Sequence, residues 1–173
     1  MNNYEFDKVI NGTATLENLL DAINELCLCA KKILNNQHDY FLYDKEPFVM
    51  NMATKSLNLR NSIPKVKGIN NDAVGHLTVP VLFLAIHFSY LSLKSFNKQI
   101  DNYFNDASIQ KETYELVVKD HKQMKDNLID FADSFNLIIS HPMMIEDINH
   151  LRVYLGLSTV TIEEFKDTYF KDL

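Results

Sequence analysis

Three histidines carry the most chemical promise in this sequence. His76 and His87 stand eleven residues apart, about three helical turns, so on one helix both point the same way. His121 lies in the next long amphipathic stretch. Folding the two stretches into a hairpin would bring it within about one turn of His87. Two inward imidazoles in a helical bundle can hold a metal when facing helices add carboxylates. His87 and His121 are therefore the candidate metal ligands, set against the simpler and favoured reading of two packed, hydrogen-bonded core histidines.

Other constellations are weaker. A di-iron bundle needs Glu three residues before His, but Leu84 and Val118 fill those positions. Glu146 and Asp147 precede His150 by four and three residues, the spacing of an acid/base couple or half a metal site. Ile145, Ile148 and Leu151 claim the inward face there, which leaves a surface ion pair as the favoured reading. The sequence holds no glycine-rich phosphate loop, no Gly-x-Ser-x-Gly elbow and no His-Glu-x-x-His. Small helical ribonucleases of prokaryotic defence systems place His four to six residues after Arg. Here Arg60 precedes His76 at a much longer distance, and Arg152 has no His after it. No catalytic residue and no cofactor is assigned.

These side chains need helices to position them, and the composition favours helices. The 173 residues are 46% hydrophobic and 23% charged, with only four Gly and four Pro. That is ample apolar material for one core, with little of the turn chemistry that many-stranded folds use. The expected organisation is a single helical domain over residues 1–173. Its net charge of −6 disfavours nucleic acid, whose phosphates demand Lys and Arg. The one basic stretch, Lys55, Arg60, Lys65 and Lys67, lacks interleaved aromatics for base stacking.

Thr15 is placed to cap a first helix with an apolar stripe from Leu16 to Leu34. A second helix is expected from Glu46-Pro47 to just before Pro64. A third runs from about Asp72 to Asn105, with a bend expected at Pro80. The fourth, about 108 to 139, is the most regular: Met124, Leu128, Phe131 and Phe135 recur on one face. A short helix follows His141-Pro142 and ends at Gly156. Thr161-Ile162-Glu163-Glu164 is a capping box that opens a terminal helix. The fold class expected is an all-α bundle of four main helices plus two short C-terminal ones, helices three and four forming a long antiparallel hairpin.

Leu77 to Leu93 is a nearly unbroken apolar run. It sits at the short limit for a membrane span and contains Pro80 and His87, so a central core helix is preferred. Cys27 and Cys29 are two apart on a helix and cannot bridge each other; with Met1 to Asp7 lacking the form of a signal peptide, a reducing, cytoplasmic setting is expected. High Asn, Lys and Ile usage suits a low-GC bacterium or its phage.

Tyr40, Phe41, Tyr43, Phe165 and Tyr169 are candidate partner-binding aromatics, with cover for the bundle ends as the alternative. The functional expectation is a small acidic protein that binds another macromolecule as inhibitor, immunity factor, adaptor or regulator. A protein partner or a homodimer is expected, rather than nucleic acid or membrane. The alternative is an enzyme or sensor with a His-lined core site for a metal or small ligand.

Overall fold

The computed structural model describes residues 15–35, 46–105, 111–138 and 142–173. Among them six α-helices form an all-α bundle: α1 (Leu16–Asn35), α2 (Glu46–Ser62), α3 (Asn71–Asn105), α4 (Lys111–Ile138), α5 (Pro142–Tyr154) and α6 (Ile162–Tyr169). Local chemistry accounts for most of their boundaries. Thr15 and Asn18 cap α1 reciprocally: the Asn18 amide donates to Thr15 Oγ1 at 3.3 Å, and the Thr15 amide to Asn18 Oδ1 at 3.2 Å. After α2 the chain tightens into a 3-10 turn at Ile63–Lys65, as Pro64 demands. Asn70 Oδ1 then accepts the Ala73 amide at 2.7 Å and starts α3.

The core is built around α3. Every residue from Val81 to Ser89 is buried, so this stretch is enclosed on all sides. That burial explains its unbroken apolar run. The helix is long and apolar enough to cross a membrane by length and composition, but here other helices cover its central part. Pro80 lies inside α3 without interrupting it. The most extensive packing is of α2 and α4 on α3. Buried Ala53 and Ser56 give α2 a small-residue face, and Ser56 Oγ donates to the Met52 carbonyl at 2.7 Å.

Helices α3 and α4 form the expected antiparallel hairpin, with a register fixed by two contacts. Tyr103 stacks on Tyr114 at 4.0 Å between ring centroids. His121 Nε2 meets Asn97 Oδ1 at 2.8 Å. Each step back along α3 is matched by a step forward along α4.

Helix α5 ends in a Schellman motif. Gly156 takes φ +84°, its amide donates to the Val153 carbonyl at 3.0 Å, and the Leu157 amide reaches the Arg152 carbonyl at 2.8 Å. Two α5 side chains hold the following connection. Asn149 exchanges two 2.9 Å hydrogen bonds with the Val160 backbone, and Arg152 Nε donates to the Ser158 carbonyl at 2.8 Å. The capping box at Thr161 and Glu164 is complete, so α6 starts in a fixed place and lays Phe165 and Tyr169 onto the core.

Candidate functional site

Polar groups inside the bundle are few, and three of them form a chain. His87 Nδ1 lies 2.7 Å from Tyr169 Oη, and Arg152 Nη1 donates to the same oxygen at 3.0 Å. Burial, reinforced by the Arg152 charge, pushes the His87 pKa down to about 3. The imidazole is therefore neutral at pH 7. The direction of the His87–Tyr169 bond follows the imidazole tautomer, because the phenol oxygen can both donate and accept. His87 Nε2 is buried with no hydrogen-bond partner among the described residues. Burial also raises the Tyr169 phenol to about 12, against the opposing pull of Arg152. Arg152 is itself buried and sits 5.6 Å over the Phe83 ring. No carboxylate among the described residues lies within ion-pair distance of it.

This chain locks α3, α5 and α6 together, and its chemistry is quiet. Nδ1 is committed to Tyr169 and Nε2 is enclosed, so neither nitrogen is open to a ligand from outside. The neighbouring interior void, among Val79, Leu82, Phe83, Ile86, Phe135, Met144 and Ile148, measures about 10 Å³, room for at most one water and lined without polar partners for it.

One open feature lies on the outer side of Tyr169. A cleft of about 650 Å³ runs between α3, α4 and α6. Its floor is a stripe of α3 in which Tyr90, Lys94, Asn97, Lys98 and Asp101 recur at three- and four-residue steps. His121 and Lys125 form the α4 wall, and Thr168, Tyr169 and Asp172 the opposite one. The Tyr90 and Tyr169 rings meet nearly perpendicular at 5.2 Å between centroids, and Lys94 Nζ lies 5.4 Å over Tyr90. Burial, then the Lys125 charge, lowers the pKa of His121, so it too is neutral at pH 7. Among the described residues no carboxylate lies within 4.0 Å of Lys94, Lys98 or Lys125. The cleft lining is of mixed charge, three lysines with Asp101 and Asp172.

Several expected sites are redrawn by this geometry. His87 and His121 do not share a site: His121 meets Asn97, ten residues beyond His87 and about 15 Å further along the α3 axis. The same register sets Phe131 at the level of His87. Among the described residues no three His, Cys, Asp or Glu side chains converge closely enough for a metal ion. His76 does not follow His87 inward: it is 54% exposed and pairs with Asp147 at 3.0 Å. Asp147 therefore reaches across to α3, while Glu146 and His150 are exposed. Phe165 and Tyr169, 0% and 4% exposed, are buried against their own chain; Phe165 offers no surface, and Tyr169 contributes only to the cleft wall. Tyr40, Phe41 and Tyr43 lie outside the described residues. Cys27 is half-buried on α1, and burial raises its thiol to about 11.

Arg152 and the cleft lysines went unread in the sequence. A signal for Arg152 existed: it stands four residues after Ile148 and three before Leu155, on the inward stripe of α5. Lys94 and Lys98, a like-charged pair one turn apart, were a second.

No protein-family model matches this chain, and no curated protein or solved structure is significantly similar to it.

Proposed function

We propose that this protein acts by binding another macromolecule, a protein partner, and that the cleft between α3, α4 and α6 is its recognition surface. The observation that carries the reading is the cleft itself: a concavity of about 650 Å³ where three lysines, Asp101, Asp172, Asn97 and His121 converge. Concave sites with a few convergent polar groups are where ligands bind. The walls are set in advance, because Tyr169 is tied to His87 and Arg152; a preformed surface loses little freedom on binding. The roles that suit such a surface are inhibitor, immunity factor, adaptor or regulator, acting in a reducing compartment.

The test is photo-crosslinking in cells. A benzophenone amino acid in place of Leu93, which lines the cleft, is expected to capture one defined protein, whereas the same probe in place of exposed Glu17 on α1 captures none. Identical products from both positions, or none from either, would reject the reading.

A further inference from the structure

We infer that the outward face of α5 is a self-complementary contact, on which a second copy of this chain docks antiparallel to form a two-fold homodimer. This contact is separate from the cleft. Gly75, at its edge, lies about 28 Å along α3 from Lys94, so both clefts of the pair stay open.

Helix α5 buries Ile148, Leu151 and Arg152, and exposes Met143, Glu146, His150, Val153 and Tyr154. The first four exposed residues recur at steps of three, four and three, the spacing of a seam that packs on another helix. Their order is apolar, carboxylate, imidazole, apolar. A two-fold axis at the level of Ile148 reverses that order in the second copy. Met143 then meets Val153 of the second copy, Glu146 meets its His150, and each contact is made twice. An imidazole N–H donates to a carboxylate in either charge state, and neither residue has an ion-pair partner in its own chain among the described residues. Parallel pairing would instead set Glu146 against Glu146 and His150 against His150. Asp147 alone would meet its own copy near the axis, and its carboxylate is already held by His76 on α3 at 3.0 Å.

A hollow in the right place supports the same docking. Tyr154 stands two helical turns after Asp147, on the same edge of α5. It is 43% exposed, with Lys31 Nζ 4.4 Å over its ring. Asp147 borders a hollow of about 320 Å³ between α3 and α5, together with Gly75, His76, Met143 and Met144. In the antiparallel pair this edge faces its counterpart, which brings Tyr154 of the second copy over the hollow beside Met143. Two methionines adapt readily to an incoming ring. Gly75 leaves it room: nothing lies within 4 Å of a Cβ added there, although glycine weakens a helix. One thirteen-residue helix on each side buries less than the about 1,200 Å² of a stable interface, so the dimer is weak and forms at high concentration.

The experiment is sedimentation equilibrium of the full chain from about 10 µM to about 1 mM, which should show a reversible monomer–dimer equilibrium. His150→Glu opposes Glu146 of the second copy with like charge and should weaken dimerisation about tenfold or more. Adding Glu146→Lys to it makes both cross-pairs opposite in charge again and should restore the wild-type constant to within about threefold. Gly75→Leu fills the hollow. It should raise the melting temperature, because leucine favours the helix, while weakening the dimer about tenfold; a misfolded variant would lose both. Leu116→Ser, at a residue 57% exposed on α4, should leave the constant within about twofold. A chain still monomeric at about 1 mM overturns the inference. So does a dimer indifferent to His150→Glu or to Gly75→Leu, and so does a double variant no tighter than His150→Glu alone.

Discussion

The imidazole of His87 and the phenol of Tyr169, 82 positions apart in the chain, share a 2.7 Å hydrogen bond inside the bundle. The phenol is the middle member of the chain, accepting from Arg152 while it shares a hydrogen bond with His87. Tyr169→Phe keeps the ring packing and removes the oxygen. It leaves His87 Nδ1 without its partner and Arg152 without one acceptor, and should cost about 1–3 kcal/mol. Urea denaturation monitored by circular dichroism measures the loss, and an unchanged midpoint would mean that the chain contributes nothing.

Acid should destabilise the fold through His87. Its folded pKa of about 3 lies below the ordinary 6.5, so between these values the unfolded chain binds a proton that the folded chain refuses. Stability from this group is complete above pH 6.5 and falls as pH drops toward 3, by about 1.4 kcal/mol per unit. The comparison to make is the pH dependence of unfolding free energy in wild type and His87→Gln. The variant's curve should be flatter in that window, and parallel curves would contradict the assignment of a neutral, buried imidazole.

Gly156 holds φ +84° at the end of α5, and nothing lies within 4 Å of a Cβ added there. The cost of Gly156→Ala is thus conformational rather than steric crowding, about 1–2 kcal/mol. Differential scanning calorimetry should show a lower melting temperature. An unchanged value would mean that the Schellman turn relaxes freely.

Cys27 should be a slow thiol. With its pKa near 11, little thiolate exists at pH 8, and the thiolate is the reactive form. In a Cys29→Ser background, native protein should react with Ellman's reagent at least about tenfold more slowly than the urea-unfolded chain. Equal rates would refute the burial argument.

Phe165 stacks on Phe135 at 4.5 Å, with ring planes 11° apart. Phe165→Ala should remove about 3–5 kcal/mol and loosen α6, seen as faster amide exchange around residues 162–169. A variant with wild-type exchange there would show that α6 is held by other means.

What was legible in the sequence was local. The stripe of Met124, Leu128, Phe131 and Phe135, the Thr161 capping box and the Gly156 terminus each depend on neighbours within a few residues, and each is found in place. Helical periodicity fixes which side of a helix a residue occupies, but not the level at which two helices meet. That is why His87 and His121 were drawn together: His87 faces the core, but His121 lines the open cleft, and the hairpin register sets them about 15 Å apart. Arg152 escaped for a different reason. A guanidinium defaults to the surface, and only the Tyr169 oxygen, the Ser158 carbonyl and the Phe83 face make its burial tolerable. None of those three is close enough in sequence for a local pattern to announce it. The cleft was invisible in the same way, because its walls come from three helices.

The enclosed stretch from Val81 to Ser89 has a consequence during synthesis. The ribosome delivers this belt well before it delivers the α4, α5 and α6 side chains that cover it. At about 5–20 residues per second, His87 waits roughly 4–16 s for Tyr169 to be made. For that interval the nascent chain displays an apolar segment with the length and composition of a membrane helix, which makes it a natural client for the chaperones and targeting factors that meet growing chains at the tunnel exit.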